Sequence, residues 1–379
     1  MQYTTLKVRI YPTPEQEELF EKTFGCCRWI WNHMLADQQR FYLETGAFFI
    51  PTPAKYKAGA PFLKEVDNQA LIQEHNRLSQ AFRLFFKDPD HFGYPKFKRR
   101  KDDRDSFTAC NHEFTSGPTI YLTKDGIRMT KAGIVRARFS RRPQAWWKLK
   151  RITVVRSRTG KYHCCILYAY TEKAPDPVAP TEETTLGLKF SPRHFYVDSS
   201  GVPADPPHWL GQSQEKLSAI QRRLSRMQPG SQNYRDAVQK YRLLHEHIAN
   251  QRRDYIHKES RRIANAWDAV CVRDGGMNEP GRLTNRRSAM ESGFGFFREC
   301  LRGKLSRQGK QLLMADRCFP STRTCFLCGH TAEEISAKRP TWTCPCCGAV
   351  LNREANAARN IKAQGLAQYF RMQERRESA

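Results

Sequence analysis

Four cysteines near the C-terminus have a spacing that could bind a metal ion. Cys325-Phe-Leu-Cys328 and Cys344-Pro-Cys346-Cys347 are two C-x-x-C pairs with fifteen residues between them, and a glycine follows each pair. This spacing predicts a four-cysteine zinc site, with Cys325, Cys328, Cys344 and Cys347 as ligands and each glycine permitting a tight turn. Cys346 is expected to be spare, and His330 is a less favoured ligand. Four thiolates leave no open coordination position, so the predicted zinc is structural.

A second group of chemically capable residues is a basic segment in the first half of the chain. The run 96–101 contains five positive charges in six residues, and Tyr94 and Phe97 are interleaved with it. Such a run can be a solvated loop. We favour a strip that binds a nucleic-acid backbone, because rings can stack on bases while the charges follow phosphates. The residues assigned to this strip are Lys96, Lys98, Arg99, Arg100 and Lys101.

The composition indicates a folded protein with a polyanionic partner. The 379 residues include 64 Lys+Arg and 38 Asp+Glu, for a formal net charge of +26, and the hydrophobic fraction of 39% argues against a disordered polycation. A ribosome-like or merely solubilising surface is the alternative. Thirteen cysteines without a secretory signal indicate reduced thiols. No segment has the length of an apolar membrane span, and a bacterial cytoplasmic location, on the nucleoid when bound to DNA, is expected.

Periodicity divides the chain into two halves. The first half is predicted to contain a strand at 1–12, helices from Thr13, from 28 to about 42 and over 68–87, and a small antiparallel sheet or barrel between 120 and 170. A proline-rich linker is predicted at 171–180. The second half is predicted to contain a strand at 195–201, a basic helical hairpin interrupted by Pro229-Gly230, an apolar strand at 269–272 and a helix at 355–363.

The order of several short motifs resembles one family, TnpB, the transposon-encoded RNA-guided DNA nucleases related to type V CRISPR effectors. The motifs that carry this resemblance are Tyr11-Pro12-Thr13-Pro14-Glu15-Gln16, Phe24-Gly25 with Arg28 and Asn32, Pro95-Lys96-Phe97-Lys98, Gly160-Lys161-Tyr162, Pro320-Ser321 and Asn356-Ala357-Ala358-Arg359-Asn360-Ile361. The resemblance implies an α+β multidomain fold. Its domains would be a wedge β-barrel (1–12 and 88–175), an inserted helical recognition lobe (13–87), and a RuvC-like domain of RNase H fold (176–379) carrying a helical hairpin (208–265) and the zinc module (318–350).

The resemblance also implies three metal-binding carboxylates in the RuvC-like domain, and this sequence departs from that pattern. Where the family reads Gly-Ile-Asp-Leu-Gly-Leu, the matching run places Thr185 at the Asp position. Arg273 stands for the Glu of the second motif, and Glu354 for the Asp of the third. Asp198, Asp274 and Glu279 are near enough in sequence to be considered as substitutes. Because a guanidinium stays protonated and repels magnesium, we expect no catalytic magnesium and no nuclease activity.

On this basis the sequence predicts an RNA-guided DNA-binding protein that does not cut, like the nuclease-dead repressors of the family called TldR. It would form an R-loop beside a short duplex motif and block RNA polymerase at a promoter, one protein per guide RNA, with guide RNA, duplex DNA and the RNA–DNA heteroduplex as partners. The alternatives are a guided endonuclease with a rearranged RuvC site and a zinc-ribbon RNA-binding protein without a DNA target. Further backbone contacts are predicted for Arg28, Asn32, Arg222, Arg223, Arg252 and Arg253.

Overall fold

The computed structural model describes residues 1–100, 105–115, 117–191, 194–205, 209–273, 293–336 and 339–377. The chain divides into two compact units, Met1–Glu172 and Lys173–Ala379, each with its own hydrophobic core. The division falls inside the segment 171–180 that composition marks as a linker. Among the described residues, none of the helices combines the length and apolar content needed to cross a membrane.

The first unit is built on a seven-stranded antiparallel sheet. Its strands are β1 (Gln2–Tyr11), β2 (Ser106–Cys110), β5 (Tyr121–Leu122), β6 (Gly126–Met129), β7 (Gly133–Arg138), β8 (Lys148–Arg156) and β9 (Tyr162–Tyr170), while β3 (Glu113–Phe114) and β4 (Gly117–Pro118) form a separate hairpin. The strand order is β2-β8-β9-β1-β7-β6-β5. The long central strands alternate buried and exposed residues, as in β1, where Leu6, Val8 and Ile10 face the core between basic residues.

Two helices complete the first unit. Helix α1 (Pro14–Thr45) begins at a capping box in which the Thr13 hydroxyl accepts from the Gln16 amide, and α2 (Asn68–Lys87) begins at Asp67. Two short 3₁₀ helices, Pro53–Tyr56 and Pro61–Lys64, lie between them. The predicted interruption of the first helix near Gly25 is wrong, because the apolar stripe that holds α1 against its neighbours continues through Phe24, Cys26 and Cys27 and outweighs the helix penalty of one glycine.

The second unit is an α/β layer around a five-stranded sheet. The central strands β10 (Thr185–Phe190), β13 (Ala269–Arg273) and β14 (Gln311–Ala315) are parallel, and β11 (Tyr196–Asp198) and β12 (Pro203–Ala204) form an antiparallel edge, in the order β12-β11-β10-β13-β14. The helices are α3 (Trp209–Ser225), α4 (Gln232–Ala266), α5 (Phe294–Ser306) and α6 (Arg353–Glu377). Helices α4 and α5 pack on one face of the sheet, and α6 packs on β10, β13 and β14.

A small two-stranded sheet leads into α6. Strands β15 (Thr341–Thr343) and β16 (Val350–Asn352) are antiparallel, and the second cysteine pair lies in the turn between them. Asn352 then begins α6, because its side-chain oxygen accepts hydrogen bonds from the amides of Glu354 and Ala355, both at 3.0 Å. The cysteine module and the last helix are therefore one continuous piece of chain.

Candidate metal and nucleic-acid sites

The four predicted zinc ligands meet at one point. Their sulfur atoms all lie within 4.8 Å of one another, with 3.7 Å between the Sγ atoms of Cys325 and Cys347 and 3.6 Å between those of Cys328 and Cys344. A tetrahedral zinc with bonds of about 2.3 Å separates its sulfurs by about 3.8 Å, so the donor set fits the ion. Cys346 is exposed and lies outside this group, as its spacing predicted.

A glycine closes the turn of each knuckle. Gly329 and Gly348 have positive φ angles of 74° and 70°, and their amides donate to the carbonyls of Cys325 and Cys344, both at 2.9 Å. Backbone amides of Cys347 and Cys346 also lower the pKa of Cys344, to about 6. These amides therefore favour the thiolate form of Cys344, whereas desolvation and the neighbouring thiols raise the pKa of Cys328 and of Cys347.

Two asparagines attach the first knuckle to helix α6. The side-chain amide of Asn356 donates to Thr324 O at 2.7 Å, and its oxygen accepts from the amide of Phe326 at 2.9 Å. The Asn360 amide donates to the carbonyls of Ser321 and Thr324. Both asparagines are almost fully buried. The Asn-Ala-Ala-Arg-Asn motif, which the sequence offered only as a family signature, thus fixes the knuckle in place.

The same helix approaches β10 at a glycine. A Cβ atom placed on Gly187 would lie 2.2 Å from the carbonyl oxygen of Ala358 and 2.7 Å from Cβ of Lys362, so only glycine allows this contact. Ala357 and Ala358 are fully buried. Because side chains alternate along a strand, the residues of β10 that face α6 are Thr185, Gly187 and Lys189.

Of the three sequence-predicted RuvC positions, Glu354 lies in the first turn of α6, where the helix dipole favours a carboxylate. Its Oε1 atom accepts a hydrogen bond from the Ser191 hydroxyl at 2.7 Å, and an Arg353 nitrogen lies 4.0 Å away. Ser191 follows the last residue of β10. Glu354 is therefore at the carboxyl-terminal end of β10, the end where parallel sheets of α/β domains bind their ligands.

The structure does not bring Thr185 to Glu354. Thr185 is the first residue of β10, is paired with Ala269, and donates its hydroxyl to Thr181 O at 2.5 Å. Ser191 lies six positions further along the chain, which corresponds to about 20 Å along a strand. Leu188 pairs with Val272, and the next residues on the two strands are Lys189 and Arg273. If Gly187 takes the first glycine of Gly-Ile-Asp, Lys189 occupies the Asp position.

At this edge, the three residues Lys189, Arg273 and Glu354 supply two positive charges and one negative charge. Arg273 donates through Nε to Arg317 O at 2.9 Å, and Lys189 Nζ donates to Phe190 O at 3.1 Å. A two-metal centre needs several anionic oxygen ligands, and Lys189, Arg273 and Glu354 supply one carboxylate. These three residues do not fit such a centre. Of the substitutes, Asp198 uses its carboxylate to accept the amides of Ser200 and Val202, both at 2.9 Å, while positions 274 and 279 lie outside the described residues.

The basic strip, defined by Lys96, Lys98, Arg99 and Arg100, is attached to the two helices of the first unit; Lys101 lies outside the described residues. The Asn32 side chain binds the strip to α1. Its amide donates to Lys98 O at 3.0 Å, and its oxygen accepts from the Lys98 amide at 2.8 Å. Trp31 donates its indole N–H to Lys96 O at 3.0 Å. The strip is thereby fixed to α1.

Glu74, on α2, forms an ion pair with one lysine of the strip, Lys98. The Glu74 side chain is fully buried and forms ion pairs with Arg77, at 2.6 Å, and with Lys98, whose ammonium also lies 4.0 Å from the centre of the Trp31 ring. Lys98 therefore has a partner within the protein, while its side chain keeps 36% of its surface exposed. Lys96, Arg99 and Arg100 are exposed. A glutamate within a helix gives no sequence signal for this role.

The other arginines predicted to contact a nucleic-acid backbone differ in their exposure to solvent. Arg28 is half-buried and lies 3.5 Å from Asp105, so it too is used within its unit. Arg222 and Arg223 are exposed in the last turn of α3. On α4, Arg253 is exposed and donates to Asn250 at 3.2 Å, whereas Arg252 is half-buried beside Gly293.

Comparison with solved structures identifies the class of fold. A Cas12f1–sgRNA–target DNA complex contains a chain that matches 95% of this chain and 98% of its own length, with a TM-score of 0.59 and 12% identity. Family profiles described as "Helix-turn-helix domain", "Probable transposase" and "Cas12f1-like, TNB domain" match residues 1–47, 167–279 and 294–361. The fold is therefore of the Cas12f type, an α+β multidomain architecture, as the sequence predicted.

Curated relatives identify the family. The "Putative RNA-guided DNA endonuclease" of Streptomyces pristinaespiralis is 30% identical over 95% of this chain and 89% of its own length. InsQ of Escherichia coli (strain K12), which carries the same description, is 30% identical over 95% of this chain and 92% of its own. The chain belongs to the TnpB-like family of RNA-guided DNA endonucleases.

These relatives correct the prediction that the protein is not an enzyme. Relatives that match nearly the whole chain are named as endonucleases, and they give no support to a nuclease-dead repressor subtype. The replacement at Thr185, on which the prediction partly depended, also falls at a position far along the strand from Glu354. The prediction was wrong because it inferred lost activity from an alignment of single motifs.

Proposed function

We propose that this protein binds a guide RNA and uses it to form an R-loop on double-stranded DNA beside a short motif that the protein reads in duplex form. The observation that carries the proposal is the likeness to RNA-guided endonucleases over 95% of the chain. In such systems base pairing supplies the sequence specificity, while the protein holds backbone and reads the adjacent motif. The partners would be guide RNA, target duplex and RNA–DNA heteroduplex, with one protein per guide.

The charges of the first unit support the guide-binding part. Lys96, Arg99 and Arg100 project from a segment fixed to α1, next to the exposed ring of Phe97. Cations on a fixed segment bind a phosphate backbone with little loss of conformational entropy. The wedge (1–12 and 88–175), recognition (13–87) and RuvC-like (176–379) assignments belong to the same proposal, as does a structural zinc ion held by the four cysteines.

Repression is the finer part of the proposal. An R-loop formed across a promoter excludes RNA polymerase for as long as the protein remains bound, and it places the protein on the nucleoid. This consequence depends on residence at the target. It is tested separately from cleavage, by measuring transcription from a promoter that carries the guide-matched sequence.

The test begins with the RNA that copurifies with the protein. Its variable end is sequenced, and duplexes matching that end are examined by footprinting and, with magnesium or manganese, for cleavage. Matched DNA should be protected and mismatched DNA should not. RNA without a DNA footprint would replace the proposal with an RNA-binding protein that lacks a DNA target. Guided cuts that disappear in Glu354→Ala would assign a rearranged endonuclease site.

A variant series locates the guide-binding surface. Replacing Lys96, Arg99 and Arg100 together by glutamine should reduce guide affinity. It should also lower the slope of log K against log salt by about 2, because each phosphate that a cation no longer neutralises accounts for about 0.7. The matched control replaces Lys173, Arg371 and Arg375 together by glutamine, three exposed cations elsewhere in the chain. Equal slopes for both sets of variants would remove the strip from the guide-binding surface.

A further inference from the structure

A groove of about 570 Å³ runs along one side of α6, within the second unit. The α6 residues that line it recur at helical spacing over eleven positions, which corresponds to about 16 Å. Phe326 of the first knuckle lies at one end, and Glu182, Glu183 and Trp267 contribute from other segments. The α6 residues are Arg359, Lys362, Ala363, Leu366 and Phe370. The groove is separate from the carboxyl-terminal edge where Glu354 lies.

One end of this groove is fixed before any ligand arrives. The Phe326 amide donates to Asn356, which places the ring, and the Arg359 guanidinium carbon lies 5.8 Å from the ring centre. Arg359 Nε donates to Ser199 O at 3.1 Å, so the guanidinium is held from its inner side. The Phe326 ring nevertheless keeps 38% of its surface exposed. An exposed ring held rigidly beside a cation costs little entropy when it stacks on a ligand.

The lining favours one chemical class of ligand. Arg359 and Lys362 provide positive charge for phosphate, and Phe326 and Phe370, which is 48% exposed, provide two rings for stacking. The carboxylates of Glu182 and Glu183 can accept hydrogen bonds from exocyclic amino groups of bases. Stacked bases rise by about 3.4 Å, so the length suits more than one nucleotide.

We propose that this groove binds a short stretch of single-stranded nucleic acid, with bases stacked on Phe326 and Phe370 and phosphates beside Arg359 and Lys362. The inference rests on the proposed function, since a guide RNA or a displaced DNA strand is the source of such a stretch. Both sources share the chemistry of unpaired bases on a phosphate backbone, and the test separates them.

The first experiment locates the contact. The full-length protein is irradiated with oligonucleotides of RNA or DNA that carry 4-thiouridine or 4-thiothymidine, and the crosslinked peptides are identified by mass spectrometry. Crosslinks in the peptides that contain Phe326 or Phe370 are expected. The stronger of the RNA and DNA arms identifies the source. Crosslinks confined to the first unit in both arms would overturn the proposal.

The second experiment uses neighbouring residues as a matched pair. Phe326→Ala should reduce crosslinking at the groove, and affinity for the oligonucleotide measured there, by about tenfold, because it removes one stacking platform. Leu327→Ala is the control, because Leu327 lies on the same knuckle, is 64% exposed and does not line the groove. Zinc content confirms that both variants keep the knuckle. Equal crosslinking in the two variants, whether high or low, would overturn the proposal.

Guide retention and DNA footprints are measured on the same proteins. If Phe326→Ala no longer crosslinks at the groove but still copurifies with guide RNA and protects matched DNA, the groove is assigned and the proposed function stands. If no protein protects DNA while the groove crosslinks persist, the proposed function fails and the groove remains. The two proposals therefore fail on different readouts.

Discussion

The cysteine cluster and the carboxyl-terminal edge of the β10–β13 sheet both collect residues from distant parts of the chain, but only the cysteine cluster fits the ion expected of it. Its four sulfurs are spaced as tetrahedral zinc requires. At the sheet edge, Lys189 and Arg273 follow the paired residues Leu188 and Val272, and Glu354 accepts a hydrogen bond from Ser191. These three residues supply one carboxylate and two cations. The two places differ in the chemistry of the side chains that the described residues supply.

The largest effect should come from the cysteine cluster. Structural zinc sites contribute apparent binding free energies of about 10–16 kcal/mol, so Cys325→Ser should lose stoichiometric zinc and expose the segment 318–350 to proteolysis. Zinc content and limited proteolysis measure this. Cys346→Ser is the control, because Cys346 is exposed and lies outside the cluster. Retention of zinc by Cys325→Ser would contradict the four-cysteine assignment.

A smaller but still large effect is expected where α6 meets the sheet. Gly187→Ala places a Cβ atom 2.2 Å from a backbone carbonyl, and the required shift should lower the free energy of unfolding by about 3 kcal/mol. Gly295→Ala, in α5, meets no atom within 4 Å and should be neutral or stabilising by up to about 1 kcal/mol. Chemical denaturation of the two variants compares them. Equal stability would show that α6 can move away from β10.

The attachment of the zinc knuckle to α6 should contribute next. Asn360→Ala removes the side-chain donor of the Ser321 carbonyl and one of the two side-chain donors of the Thr324 carbonyl, at a cost of about 2 kcal/mol. Arg371→Ala, on an exposed position of the same helix, should change stability by less than about 0.5 kcal/mol. Thermal unfolding monitors both variants. If Asn360→Ala matches the control, the knuckle is held mainly by Asn356.

The smallest effect is a gain of metal affinity at the sheet edge. The double variant Lys189→Asp with Arg273→Glu would place three carboxylates where one stands now, and should bind manganese at least about tenfold more tightly than the wild type. Isothermal titration with manganese chloride measures this. Lys173→Asp with Arg371→Glu gives the same change of net charge elsewhere. Equal affinities in the two double variants would show that the edge does not concentrate cations.

The sequence was informative where spacing alone determines geometry. Two C-x-x-C pairs with a glycine after each predict that four sulfurs lie close together. The structure shows this cluster. The bounds of α2, Asn68–Lys87, also match the predicted helix, since its apolar residues recur at helical spacing after a capping Asp67. In both cases the decisive interactions lie within a short stretch of chain.

The sequence was uninformative where the position of a residue depends on the register of paired strands. Thr185 was matched to the family's Asp by motif spacing, yet its pairing with Ala269 puts it at the start of β10, and Ser191, the partner of Glu354, follows the end of that strand. Asn32 and Lys98 illustrate a related limit. Both looked like nucleic-acid contacts, yet each is bound to a partner more than twenty residues away in the chain, Lys98 for Asn32 and Glu74 for Lys98.

The hydrogen bonds between Asn32 and the backbone of Lys98 also have a kinetic meaning. Residue 98 belongs to no helix or strand, yet its amide hydrogen is held by a side chain of α1, with 2.8 Å between the nitrogen and the oxygen. Its exchange with deuterated solvent should therefore require the strip to detach from α1, while exposed amides of neighbouring loop residues exchange freely. A single slowly exchanging amide would report how often the basic strip detaches from α1 and binds to it again.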